Sequence, residues 1–487
     1  MKSVDVKIGC KLEDYESYVS LHSLLKDFRS EARILAPKLR DRSVWMVNST
    51  ARGGGVAEML PTMISLLRQL DVKAEWAVIE TDQPEFFALT KRIHNLIHGQ
   101  GEPQLSEADR DLYEKVCKQN AQAFSKMIKP GDIVLLHDPQ PMGMAPFLKS
   151  HVDVKLVWRC HIGLDDVSDQ TETAWQFLCP YFDSYDLSVF SAPEYIPHYC
   201  SDRVTVINPG IDPLSHKNRD LPIHKLVGIL NNAGILPAYH PMLTPPFEDL
   251  AKQLMPDGSF SVPARNDNIG LLSRPIVCQI SRWDRLKGFL PLMQGFCHLK
   301  ERISKFGSSS ERHQRRLELV RLVLAGPDPA FVEDDPEGEK VLTELTDFYR
   351  SLPESIQEDI ALLLLPMSSR KENELMVNAL QRCSSIVVQN SLQEGFGLTA
   401  TEAMWKLIPV LGSRACGLRQ QIRNGVDGKL IDDPEDPVQI AEGLNDMLEN
   451  DKGRQVWSYN AKKRVLDRFL VFTQLSRWLD VFANLRI

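Results

Sequence analysis

Short apolar runs alternate along the chain with longer stretches whose apolar residues recur at helical spacing. SVWMVNS (43–49), AEWAVIE (74–80), DIVLLHDP (132–139), KLVWRCHI (155–162), LSVFSA (187–192) and RVTVINP (203–209) read as buried strands. VAEMLPTMISLLRQL, between the first two, has the period of a helix. This order predicts a parallel sheet with crossover helices. Residues 213–273 break the rhythm: they are rich in proline, glycine and asparagine, with local helix at IHKLVGILNN and no clear alternation. The alternation resumes with PIVCQIS (275–281), LVRLVLAGP (319–327), DIALLLLP (359–366), SIVVQNS (385–391) and IPVLGS (408–413). The final stretch, DRFLVFTQLSRWLDVFANLRI (467–487), reads as an amphipathic helix able to pack back across a domain boundary. The expected fold class is α/β with two lobes. Residues 1–215 with helix 467–487 form the first, 216–273 the junction, and 274–466 the second.

Composition adds limits. At 487 residues the chain is too long for one compact core, and 43% hydrophobic residues are enough for two. A net charge of -8 leaves no basic excess to neutralise a nucleic-acid backbone, so nucleic acid is not an expected partner. The nine cysteines are scattered and show no CxxC spacing, which suits reduced thiols rather than disulfides or a zinc site. The opening MKSVDVKIGCKLEDYESY has no continuous apolar core, and no stretch is apolar enough to span a bilayer. A soluble, cytoplasmic protein without a membrane partner is the expectation.

Open α/β sheets bind ligands beyond the C-terminal ends of their strands, so those ends should carry the chemistry. In NSTARGGGVAE (48–58) the run Gly53-Gly54-Gly55 would let the backbone approach an anion or a sugar; equally, it is a tight strand-to-helix turn. In SRWDRLKG (281–288), Arg282 and Lys287 could balance a diphosphate without a metal, or belong to a solvated basic turn. In EGFGLTATE (394–402), Thr399 and Glu402 have capping-box spacing, which explains Glu402 but neither Glu394 nor the glycines before the helix. Those glycines leave amides for phosphate between two carboxylates that suit sugar hydroxyls. His161 ends the strand in WRCHI and Asp138 follows the strand in HDPQP; each is a ligand candidate or an ordinary strand-end residue. The acidic triplets LDD, EDD and IDD lie near turn residues without histidines at ligand spacing, so no metal is expected.

Two α/β lobes, the SRWDRLKG loop and EGFGLTATE resemble the retaining GT-B glycosyltransferases of glycosyltransferase family 4, whose E-x7-E spacing Glu394 and Glu402 meet. The resemblance covers nearly the whole chain. It implies two Rossmann-like lobes facing a central cleft, with the C-terminal helix crossing back to the N-terminal lobe. The strings VNSTARGGGVAE, HDPQP, WRCHI, GIDPLSHKN and DDPEG narrow it to the trehalose glycosyltransferring synthases and the retaining trehalose phosphorylases.

By that resemblance the donor is ADP-, UDP- or GDP-glucose, the acceptor is glucose and the product is α,α-trehalose, with no cofactor required. Arg282 and Lys287 would hold the diphosphate, with the amides of Leu398 and Thr399 on the same oxygens. Glu394 would bind the transferred glucose, Glu402 the ribose, and His161 would line the glucose site. Gly54 and Gly55 would admit sugar and diphosphate, and Asp138 and Arg159 would face the acceptor. The partners implied are sugars and a nucleotide; a homodimer is admitted. A trehalose phosphorylase using phosphate and glucose 1-phosphate, a sucrose- or sucrose-phosphate-type synthase, and a catalytically silent sugar- or nucleotide-binding protein stay open as alternatives. Ala415-Cys416-Gly417 departs from the Gly-Gly pair usual in the family, while 228–272 and SSSERHQRR (308–316) look like additions.

Overall fold

The computed structural model describes residues 1–7, 9–51, 55–200, 203–236, 245–263, 269–301, 310–331 and 336–485. The chain divides into two compact units, Met1–Asp212 with Leu466–Ile487, and Pro213–Val465.

The first unit holds strands β1 (Lys2–Val4), β2 (Ser43–Asn48), β3 (Lys73–Val78), β4 (Ile133–His137), β5 (Lys155–Cys160), β6 (Leu187–Phe190) and β7 (Val204–Val206). They lie in the order β1-β3-β2-β4-β5-β6-β7. Every pairing is parallel except β1 with β3. All of β4 is buried, which is why IVLLH reads as a continuous apolar run rather than an alternating one. Parallel register sets His137 beside Arg159, so the ends of β4 and β5 open on one edge.

Helix α1 (His22–Leu35) buries Leu25 and Phe28, and α2 (Gly55–Gln69) follows β2. The C-terminal helix, Val471–Asn484, completes this unit by burying Phe472, Leu475, Trp478, Leu479 and Phe482. Phe472 meets Tyr15 edge-on at 4.8 Å and Phe28 at 5.5 Å. The chain enters this helix through a bridge between Ile211 and Leu470, where Gly210 is required: a Cβ there would lie 2.6 Å from the Leu470 backbone. The helix expected over 467–487 is therefore two pieces. Residues 467 and 468 end the helix Asp451–Arg468, and a new helix starts after Leu470. Apolar periodicity carries across the joint, so the pattern alone does not reveal it.

The second unit holds β8 (Lys252–Leu254), β9 (Phe260–Ser261), β10 (Ile276–Ile280), β11 (Arg321–Pro327), β12 (Ile360–Leu365), β13 (Ile386–Gln389), β14 (Val410–Ser413) and β15 (Lys429–Ile431). Their order is β15-β14-β13-β10-β11-β12-β8-β9. The six strands from β10 onward are mutually parallel; β8 and β9 add an antiparallel hairpin at one edge. That hairpin falls within the stretch where no regular alternation was expected. Its strands are too short to show a period. Helix α3 (Ile223–Asn232) packs Leu226, Ile229 and Leu230 on the same core as Ile276, Cys278 and Leu380. Helices α4 (Arg370–Arg382), α5 (Leu398–Trp405) and α6 (Cys416–Gln421) flank the C-terminal strand ends.

Among the described residues no helix is long and apolar enough to cross a membrane. None of the nine cysteines, all of them among the described residues, is in a disulfide.

Candidate active site

In the second unit the chemistry begins after β10. Trp283 is buried and donates through Nε1 to Pro327 O at 2.8 Å, which anchors the loop. Asp284 then caps a single 3₁₀ turn, Arg285–Lys287, by accepting from Leu286 N at 2.8 Å. The turn closes on Gly288, whose φ is 60°; a Cβ there would meet Asn390 O at 2.1 Å. This close approach sets the turn directly on the segment that follows β13.

The result is an ion pair. Lys287 Nζ donates to Glu394 Oε2 at 2.8 Å, with the two side chains 14% and 10% exposed. The same oxygen accepts from Ser391 Oγ at 3.0 Å and Gln389 Nε2 at 3.2 Å. A carboxylate with three donors on one oxygen is held in one orientation. Arg282 is different: its side chain is 77% exposed and approaches Asp284 at 3.9 Å.

The capping box expected at Thr399 and Glu402 is not formed. The N-cap is Gly397, with φ 86°, and it makes no side-chain cap. Thr399 is already the second residue of α5, and Glu402 lies beyond the reach of the N-cap amide. A left-handed glycine replaces the side-chain cap because a Cβ at Gly397 would lie 2.9 Å from both Glu394 Cγ and Leu418 Cδ2. The first two helical amides belong to Leu398 and Thr399, whose N–H groups have no partner inside the helix.

Helix α6 braces this turn. Gly417 N donates to Glu394 O at 3.1 Å, and a Cβ on Gly417 would lie 2.5 Å from Phe396 Cα. The fully buried Gln421 donates to the carbonyls of Phe396, Gly397 and Gly417 and accepts from Thr401 Oγ1. One glycine therefore meets the steric need here, and Ala415-Cys416-Gly417 fits the turn.

Glu402 is 6% exposed on α5. Lys217 Nζ lies 3.9 Å from its carboxylate, and Lys406 follows one turn later. Burial pushes the Lys406 ammonium down to about 7, although Glu402 opposes the shift. Lys406 Nζ donates to Gln381 Oε1 and, at 3.4 Å, to Asn218 Oδ1.

In the first unit the ends of β4 and β5 form a second polar group. Asp138 adopts φ 65°, its N–H donates to Arg159 O at 2.7 Å, and its carboxylate accepts from His161 N at 2.8 Å. Burial raises the Asp138 carboxyl to about 6, against the opposing His161 N–H and Arg159 charge. His161 Nε2 meets His137 Nδ1 at 3.0 Å. Arg159 is fully buried and donates to Phe190 O at 2.7 Å and Ser191 Oγ at 3.1 Å. It has no surface with which to touch an acceptor; its charge acts on Asp138 and His161 instead. Burial lowers its guanidinium to about 10.

Gly54 lies outside the described residues, as does Gly53. Gly55 is the first residue of α2, and a Cβ there meets nothing within 4 Å. Sequence reasoning missed His137, Gln389, Ser391, Lys217, Lys406 and Gln421. Lys406 lies four residues after Glu402, and His137 precedes Asp138 in HDPQP; these were the available signals.

Two stretches match known family models: residues 46–197 match the trehalose synthase N-terminal domain, and residues 272–464 match glycosyl transferases group 1. The trehalose synthase of Thermococcus litoralis is 32% identical over 98% of this chain and 97% of its own length. The trehalose phosphorylase of Pleurotus pulmonarius is 24% identical over 91% of this chain and 58% of its own. The crystal structure of an α,α-trehalose-phosphate synthase (UDP-forming) from Burkholderia xenovorans, in complex with glucose-6-phosphate, superposes with a TM-score of 0.62. It is 16% identical and covers 90% of this chain and 98% of that one. The fold is that of the GT-B glycosyltransferases, and the full-length relatives together with the group 1 match make the protein a hexosyltransferase. Within that class, the chain belongs to the trehalose synthase family.

Proposed function

We propose that the protein is a retaining glucosyltransferase that forms α,α-trehalose, reversibly, from a nucleoside diphosphate glucose and glucose. The observation that carries this reading is the Lys287–Glu394 pair beside Gly397, the N-cap of α5, where a Cβ would lie 2.9 Å from Glu394 Cγ. Identity to trehalose synthases along nearly the whole chain supports the choice of product.

In this reading Arg282, Lys287 and the amides of Leu398 and Thr399 receive the donor diphosphate, whose charge grows as the glycosidic bond breaks. Preformed donors at developing charge are the largest single catalytic contribution available to such a site. Glu394, held by Lys287, Ser391 and Gln389, accepts hydrogen bonds from the transferred glucose. Glu402 accepts from the ribose hydroxyls. Gly55, where a Cβ would meet nothing within 4 Å, gives backbone access to sugar and diphosphate. Asp138 accepts from an acceptor hydroxyl and His161 contacts a sugar oxygen, while the Arg159 charge acts on both. Attack on the same face as departure retains configuration, with the leaving phosphate drawing the acceptor proton.

The test is glucose release from trehalose with ADP, UDP, GDP or inorganic phosphate supplied one at a time. Release with a nucleotide is expected and identifies the base. Release with phosphate alone would replace this reading with a phosphorylase. No release under any condition would remove the trehalose assignment.

A further inference from the structure

The two histidines at the ends of β4 and β5 form a pair that the proposed reaction uses only in part. Their ring planes lie 13° apart with centroids 5.3 Å apart, and His137 Nδ1 lies 3.0 Å from His161 Nε2. A hydrogen bond between two imidazoles needs one N–H and one lone pair, so a neutral pair has two arrangements. The remaining nitrogen of His137 decides between them. His137 Nε2 is buried with no hydrogen-bond partner among the described residues. If His161 donated, the His137 proton would sit on that nitrogen as an unpaired buried N–H. If His137 donates, an unpaired lone pair is left instead, and buried orphan N–H groups are the rarer of the two.

The surroundings keep both rings neutral. Burial, with the Arg159 charge beside them, holds the His137 imidazolium down to about 3 and that of His161 well below its ordinary range. The backbone fixes the partners in place: His161 N donates to Asp138, and Asp138 N donates to Arg159 O.

We propose that His137 is a positioning residue whose Nδ1–H donates to His161 Nε2, so that His161 keeps its own proton on Nδ1 and presents it as a fixed donor. A histidine set this way holds an oxygen lone pair. With Nε2 occupied, it does not act as a base on a hydroxyl. Its consequence for turnover rests on the assignment of His161 to a sugar oxygen in the proposed function; the tautomer itself does not.

The experiment is a two-bond 1H–15N correlation spectrum of the full chain labelled with 15N-histidine, the His161 signals being assigned by their loss in His161→Gln. Protonated Nδ1 and bare Nε2 at His161 are expected, shifting toward the Nε2–H form in His137→Phe. An Nε2–H His161 in the unsubstituted protein would overturn the proposal, as would a tautomer unchanged in His137→Phe. In kinetics, His137→Phe should lower kcat at least tenfold with a smaller change in KM. His137→Asn, whose amide N–H can replace Nδ1–H, should restore most of that loss. Expected spectra with unchanged kcat in His137→Phe would leave the tautomer standing and remove His161 from the sugar site.

Discussion

Arg282 and Lys287 reach the same strand end in different surroundings, and their substitutions should separate accordingly. Arg282 is largely exposed, so Arg282→Ala should leave the thermal midpoint almost unchanged, as surface changes stay within about 0.5 kcal/mol. Lys287 is mostly buried against Glu394, so Lys287→Ala should cost roughly 1–3 kcal/mol as the carboxylate loses its charged partner. Both should lower kcat by about 10²-fold or more if they meet the diphosphate. Thermal melts and steady-state kinetics on the two variants check this. A destabilised Arg282→Ala with normal specific activity in the folded fraction would make that residue structural. The sequence shows two cations at a strand end; only the packing of Gly288 on Asn390 reveals that one is clamped and the other open.

At the scale of the element, the turn from Glu394 into α5 depends on α6. Gly417 has no room for a methyl group, since its neighbours are the backbone atoms Phe396 Cα and Glu394 O. Gly417→Ala should therefore displace the turn, lowering stability by about 1–3 kcal/mol and turnover with it. Denaturant melts and kcat measured together test this; a variant with unchanged kcat would separate the turn from the chemistry. The strands of both sheets were legible because buried parallel strands are continuous apolar runs. Of the edge pieces, β7 was read within 203–209, but β1, β8, β9 and β15 were not: these four span three residues or fewer and owe their form to the neighbour they extend. The cap at α5 was misread for a related reason. Thr399 and Glu402 satisfy a local rule, but a left-handed glycine wedged between Glu394 and Leu418 starts the helix earlier. The two carboxylates and the cations were readable from motif spacing. Gln389 and Ser391, which hold Glu394, and Gln421, which braces the turn through its carbonyls, are recognisable only in the folded geometry.

At the scale of the molecule, the first unit depends on the far end of the chain. Five large side chains of Val471–Asn484 are buried there. At roughly 1.5–3 kcal/mol each, their burial rivals the whole stability of an ordinary domain, about 5–15 kcal/mol. A chain ending at Leu470 should lose the cooperative unfolding of residues 1–212 while keeping that of 213–465. Limited proteolysis with thermal melts would show this, and a first unit still resistant in the truncated chain would count against it.

The same dependence orders events on the ribosome. Residues 213–465 form one unbroken stretch that can fold as it emerges. The first unit emerges earlier but cannot be completed, because Tyr15 and Phe28 wait for Phe472. At about 5–20 residues per second, synthesis of the intervening stretch takes from roughly ten seconds to nearly a minute. During that interval the nascent chain carries an open apolar groove, which makes the half of the protein synthesised first the last to be finished.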